Sequence, residues 1–267
     1  MASSTRQSLA AAKVALNPLL AKADLKFATE LFAVASATAT SNQLRSLLSD
    51  PSAEGNAKSG AVAAVFAKSI SANVLEFVNV LVGLRWSKGS DLVSAIEQLG
   101  VHVVASIAAN GKTLGQLESD LFSFQQAVDS DQDLQFALGD KLATEEAKLS
   151  LVDSLTSKRV SAESAILIRQ AVVSARRRRV SLVLEQFGKQ VSAFASRLVA
   201  TVTVARPMSE NQLERLEKAL AASYGQSLKL NIELDESILG GVRVQVAGDI
   251  IDGSLASRLS EAKLQLA

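Results

Sequence analysis

The chain has no cysteine, a single histidine, three prolines and only 4% aromatic residues among 267. Without cysteine there is no disulfide framework, no thiolate metal site and no thiol nucleophile, which fits a reducing compartment. The one histidine, His102, falls roughly opposite the apolar stripe of its helix, which suits a solvated surface position better than a ligand or a base. No glycine-rich loop ends in Gly-Lys-Ser/Thr, so a phosphate loop of that kind is excluded. An excess of one charge is missing too. The 28 basic and 27 acidic side chains leave a net charge of +1, so no long-range field draws the chain to nucleic acid or anionic lipid. No segment reaches the roughly 18 consecutive apolar residues of a membrane span, and the start, Met1 to Leu9, lacks the apolar core of a signal peptide. Catalysis needs a convergent set of groups, and this inventory predicts no catalytic residue, no metal and no cofactor.

What is present is helix. Apolar residues make up 48% of the chain, dominated by Ala, Leu and Val, which favours tightly packed helices. From Asp24 the stripe Leu25, Ala28, Leu31/Phe32 and Ala35 is helical, and Ser41 caps a short helix carrying Leu44, Leu47 and Leu48. Asp50-Pro51-Ser52 is a break, after which Val62, Val65-Phe66, Val74, Phe77-Val78 and Leu81-Val82 continue the spacing. Trp86 to Ser90 reads as a loop. Asp91 then opens a long helix with Leu92, Ile96, Leu99, Val103 and Ile107 on one stripe, ending at Asn110-Gly111 in an αL stop.

Ninety residues on, much of this recurs without a gap. Leu31-Phe32 maps to Leu121-Phe122, Leu48 to Leu138, Asp50 to Asp140, Val62 to Val152, Ser71-Ala72 to Ser161-Ala162 and Leu92-Val93 to Leu182-Val183. The constant offset predicts an internal duplication, two small helical bundles in tandem. The helix over 91–109 closes the first and opens the second.

Near Leu198 the period changes from 3.6 to 2. Ala200, Val202 and Val204 alternate with threonines as a strand, Pro207 ends it, and Ser209-x-x-Gln212 is a capping box opening a helix with Leu213, Leu216 and Leu220. Leu228, Leu230, Ile232 and Leu234 form a second strand. Gly240-Gly241 precedes an alternating strand, Val242, Val244 and Val246, and Ala247-Gly248-Asp249 is a tight reversal. Ile250-Ile251 begin the return, and Asp252 or Ser254 caps a last helix with Leu255, Leu259, Ala262 and Leu266. The predicted fold class is mostly α with a C-terminal α+β module: tandem small helical bundles over 1–111 and 112–197, then a β-α-β-β-α domain over 198–267.

Two features invite a functional reading. Arg176-Arg177-Arg178-Arg179 lacks aromatic neighbours, so a junction contributing to an acidic protein contact fits better than nucleic acid. Phe122, Phe124, Phe136, Phe187 and Phe194 either fill the bundle or mark an apolar groove for a partner helix.

The C-terminal run, with Gly240-Gly241, the valine alternation, Gly248-Asp249, two isoleucines, Asp252-Gly253-Ser254 and the Arg258-Leu259 helix, resembles the C-terminal signature of the δ subunit of F-type ATP synthases, a family that includes the mitochondrial oligomycin-sensitivity-conferring protein. The resemblance covers about residues 112–267 and leaves the first bundle as an extra copy. It implies a non-catalytic connector of the peripheral stalk, one copy per complex, on the cytoplasmic face of the cell membrane and not inserted in it. Its implied partners are the N-terminal helix of an α subunit, held in a bundle groove, and the membrane-anchored b subunit, met by the C-terminal module. The family commonly has an arginine between the last two bundle helices, upstream of a pattern resembling Leu182-Val183-Leu184-Glu185-Gln186-Phe187. Arg178 fits that place, and Lys88 stands there in the first copy. Arg178, Phe187 and Phe122 are the candidate interface residues. A helical-repeat adaptor for other partners is the alternative, and an enzyme using Asp249 or Asp252 is a more distant one.

Overall fold

The computed structural model describes residues 3–157, 159–176, 178–197, 199–224, 228–235, 241–246 and 249–252. These contain twelve helices and four strands, in two compact units over residues 1–192 and 193–267. The chain is mostly α with a C-terminal α+β module.

Helices α1 (Ser3–Leu20), α2 (Leu25–Thr40), α3 (Asn42–Ser49), α4 (Gly55–Phe66) and α5 (Ala72–Gly83) lead into the long α6 (Gly89–Asn110). Then come α7 (Leu114–Ser130), α8 (Gln132–Gly139), α9 (Glu145–Thr156), α10 (Ala162–Ala175) and α11 (Val180–Arg197). At an offset of 90, α3 superposes in sequence on α8 and α4 on α9 residue for residue, and α1 falls on the last 18 residues of α6. Helix α6 therefore has two positions at once: sixth helix of the first copy and first helix of the second. It packs against α1, α2, α3 and α5 and also against α7 and α10.

That double role explains its composition. Leu92, Ile96, Leu99, Val103 and Val104 are fully buried, and Val93, Ala95, Val101, Ala105 and Ala108 are nearly so. A helix apolar on all sides is one covered on all sides, and each such Leu, Ile or Val contributes about 1.5–3 kcal/mol. Helix α6 is long and apolar enough to cross a membrane by length and composition, yet it is a core helix here. His102, expected on a solvated face, is half-buried for the same reason. Where α2 crosses α6, Gly100 makes room for Phe32: a Cβ at Gly100 would stand 2.4 Å from Phe32 Cε1.

The stop of α6 lies where the sequence places it, with one shift. Gly111 has an ordinary φ of −78°, and Lys112 takes the left-handed position at φ 59°. Lys112 N donates to Ala109 O and Thr113 N to Ala108 O, the two bonds of a Schellman motif. Helix α1 was not foreseen, because Pro18 sits inside it and buried Thr5 and Ser8 interrupt its stripe.

Local polar chemistry repeats with the fold. Ser41 Oγ caps α3 by accepting from Leu44 N, and Asp131 Oδ1 caps α8 by accepting from Leu134 N. Glu30, 7% exposed, accepts from Ser71 N (2.8 Å) and Ser71 Oγ (2.7 Å). Its counterpart Asp120, 6% exposed, accepts from Ser161 N at 3.1 Å. In each copy a buried carboxylate on the second helix thus satisfies the N-terminal amide of the fifth, which would otherwise be a costly unpaired donor. At the outer turns, Asp50 Oδ1 accepts from Ser52 N and Asp140 Oδ1 from Leu142 N. The bonds from the Ser52 hydroxyl and amide hold the Asp50 carboxyl below its ordinary pKa.

One bond is peculiar to the second copy. Arg176, after α10, adopts φ 50° and ψ −89°, a conformation that favours glycine. Its Nη2 donates to Glu97 Oε1 on α6 at 2.8 Å, tying the α10–α11 connection to the shared helix. Burial raises the Glu97 pKa above its ordinary 4.5, outweighing the attraction of Arg176 and Arg178.

In the second unit, β1 (Val199–Val204), α12 (Glu210–Tyr224), β2 (Lys229–Leu234), β3 (Val242–Val246) and β4 (Asp249–Asp252) form a sheet of order β2-β1-β3-β4. Strands β1 and β2 are parallel, joined through α12, and β1–β3 and β3–β4 are antiparallel. Ala200, Val202, Val204, Val244 and Val246 on one face pack with Leu220 and Leu228, and Leu216 of α12 lies against them. The capping box is present in its return arm, Ser209 N donating to Gln212 Oε1 at 2.9 Å. Asp249 pairs with Val246 as the first residue of β4 and so lies in the strand, not in the turn, and Asp252 is the last residue of that strand.

Two outcomes follow. Gly100→Ala should destabilise the first unit by about 1–3 kcal/mol through the Phe32 clash, while Gly60→Ala, in open space on α4, should stabilise it by about 0.5–1 kcal/mol. Urea unfolding checks both, and equal effects would contradict the close approach of α2. For Glu97, the folded chain holds more protons than the unfolded chain between pH 4.5 and its raised pKa, so this group's contribution to stability falls as pH rises. The stability of wild type relative to Glu97→Gln should therefore decline as pH rises above about 4.5; a flat or rising difference in the same urea titrations would contradict it.

Candidate partner-binding surface

Among the described residues no three His, Cys, Asp or Glu side chains cluster as a metal site. Exposed apolar side chains lie on both copies, Val14, Val65 and Val80 on the first, but the exposed phenylalanines are on the second. Phe122 (62% exposed), Phe136 (76%), Leu142 (93%) and Leu182 (54%) are all turned outward. Phe32, the counterpart of Phe122, is buried at 5% under Gly100.

Of the residues expected to mark a partner surface, the structure separates two groups. Phe187 is 2% exposed and belongs to the interior, as do Phe124 and Phe194, so Phe187 is corrected from an interface residue to a core residue. It shares a stripe with Val180, Val183, Leu184 and Val191, and the whole of that stripe is covered by neighbouring elements. Phe122 and Arg178 are exposed. Arg178 Nη2 donates to Ser174 O at 3.1 Å and Nη1 to Gln186 Oε1 at 3.2 Å, so its guanidinium is held across the α10–α11 connection. Phe136, Leu142 and Leu182 stand out only in three dimensions, since their spacing does not separate them from core positions.

Clefts open among the described residues of this unit. One, of about 520 Å³, runs between α2 and the pair α9–α10, lined by small residues of α2 (Ala33, Ser36, Ala37) and by Gln170, whose buried Nε2 has no hydrogen-bond partner. A second, of about 450 Å³, opens beside α8, between Phe136, Val128 and Gly139 on one side and Arg178, Arg179 and Val180 on the other. A third, of about 210 Å³, adjoins it across Leu138 and Gly139 and is lined by Lys141, Lys148 and Arg176. The second and third adjoin as an apolar cleft and a more polar, basic one, concave enough to hold a protein segment.

In the C-terminal unit, Gly241 has φ 92°, where glycine alone fits without strain. The other signature residues Gly240, Gly248, Gly253, Ser254, Arg258 and Leu259 lie outside the described residues.

Comparison with known proteins agrees with the duplicated architecture. The family model for the ATP synthase delta (OSCP) subunit matches twice, over residues 14–99 and 102–266. The chain is 43% identical over its whole length to the whole of the ATP synthase subunit delta of Leifsonia xyli, and 39% identical, again end to end, to that of Pseudarthrobacter chlorophenolicus. The subunit delta of Streptomyces avermitilis is 35% identical over 98% of this chain and 97% of its own. On the strength of these matches, the chain belongs to the ATP synthase delta (OSCP) subunit family.

Proposed function

We propose that the chain is a non-catalytic connector of the peripheral stalk, joining the catalytic head of an F-type ATP synthase to the membrane-anchored b subunit. It acts on the cytoplasmic face of the cell membrane, one copy per complex, and keeps the head from turning with the central shaft so that proton flow drives ATP synthesis. The observation that supports this reading best is the second family match, which runs through the second bundle and the C-terminal module in one stretch. The shared helix suits the task. A connector that resists torque must not hinge between its parts, and α6 buries both copies around one rod with no linker between them.

The first copy then acts as reinforcement of the second. Its α2 already lies across α6 and α10 of the second copy, a helix-in-groove contact built into one chain. A partner helix must use another face. The C-terminal module, with its own sheet and core, meets the b subunit.

The test is calorimetry of the full chain with a peptide of the α-subunit N-terminus. Saturable binding at one peptide per chain or more is expected, in the range of about 1–10 μM, together with pull-down of α and b subunits from solubilised membranes. No heat and no capture would leave the helical adaptor for other partners as the better reading.

A further inference from the structure

The two copies are a natural control for one another, and they differ at the cleft beside the third helix. In the first copy the position is shut. Arg45 on α3 lays its side chain over Gly89, with Cγ 2.7 Å from where a Cβ would stand, and its Nη1 donates to Ala39 O at 2.8 Å. The surrounding positions are neutral or sealed: Ser46 on α3, Pro51 in the turn, Trp86 buried at 3%, and Lys58 buried with its Nζ donating to Val82 O.

In the second copy Lys148 stands where Lys58 does, and the other positions are exchanged in ways that open the site or add apolar and basic side chains. Gln135 replaces Arg45 and keeps the equivalent bond, Nε2 donating to Asp129 O, without the longer side chain that crosses the cleft. Arg179 replaces Gly89, Phe136 replaces Ser46, Lys141 replaces Pro51 and Arg176 replaces Trp86. The result is the 450 Å³ cleft, with Phe136 76% exposed and Arg178 and Arg179 on its wall, while Lys141 lines the adjoining 210 Å³ cleft together with Glu145. Asp140 also lines the larger cleft, its Oδ1 accepting from Leu142 N, so that lining carries two arginines against one carboxylate. An exposed phenylalanine is costly to leave in water, and cations gathered around a concave apolar site select a partner of opposite charge.

We propose that this cleft docks an acidic amphipathic segment of a partner protein, with an apolar side chain seated against Phe136 and Val128 and its carboxylates paired to Arg178, Arg179 and Lys141. Charge complementarity supplies the choice of partner, and concavity favours a peptide over a lipid surface. This site stands without the stalk reading, since it concerns chemistry and not which subunit carries the segment.

The probe is a fluorescein-labelled 18-residue helix with Leu on one face and Glu on the other, titrated by anisotropy with the full chain; its twin carries Lys for Glu. The Glu peptide should bind at about 10 μM and the Lys peptide at least about tenfold more weakly. Phe136→Ser, the residue of the first copy, should weaken binding about tenfold, as should Arg178→Glu with Arg179→Glu. Gln135→Arg with Arg179→Gly, which rebuilds the plug of the first copy, should also weaken it about tenfold. Circular dichroism confirms that each variant is folded, and Phe136→Ser alters an exposed side chain only. Equal binding of the two peptides, no binding by the wild type up to about 1 mM, or unchanged affinity in the folded variants would overturn the proposal. So would binding to phosphatidylglycerol vesicles that these substitutions abolish, which would assign the cleft to a membrane surface.

Discussion

The structure of the first unit depends on the burial of one helix from all sides. Helix α6 has no solvent-facing stripe of the usual width, because two sets of neighbours cover it. Its apolar side chains provide a core common to both copies, and its one buried carboxylate, Glu97, is met by Arg176 from the second copy. Duplication of a bundle in sequence would ordinarily yield two domains and a linker. Here the last helix of one copy is the first of the next, so the junction is a rod and not a hinge.

The duplication also frees one copy from the constraints on the other. The carboxylate–serine links Glu30–Ser71 and Asp120–Ser161 are retained in both, since each closes the same pair of helices. Surface chemistry has diverged. The first copy turns Phe32 inward against Gly100 and lays Arg45 across Gly89, whereas the second presents Phe122 and Phe136 to solvent. At one such position, Phe32 and Phe122, the same side chain is buried in the first copy and exposed in the second; at the other, an exposed Phe136 stands where the first copy has Ser46.

Much of this was legible in the sequence. The offset of 90, the helical stripes, the change of period near Leu198 and the alternating strands are statements about repetition, and repetition survives without coordinates. Helix α1 was missed because Pro18 and buried Thr5 and Ser8 blur its stripe, although the same offset carried backward from α6 points to residues 3–20. The left-handed residue after α6 is Lys112 and not Gly111, since glycine makes that position easier without fixing where it falls. For the site, the arginine run was readable as solvated, but Phe122 and Phe187 were not separable from one another. A phenylalanine's burial depends on which neighbouring helix covers it, and spacing along one helix does not say. The exchanges beside α8 can be read from the sequence at the offset of 90, but that they border a cleft is a fact of the folded chain.

The central claim is that both copies are one cooperative body organised by α6. Native-state hydrogen exchange of the full chain in increasing urea tests it most directly. The account predicts that the slowest amides of α2, α6 and α10 share one opening free energy and one urea dependence. If α2 opens with a separate, smaller urea dependence while α6, α7 and α10 stay closed, the first copy is an appendage and the account is contradicted.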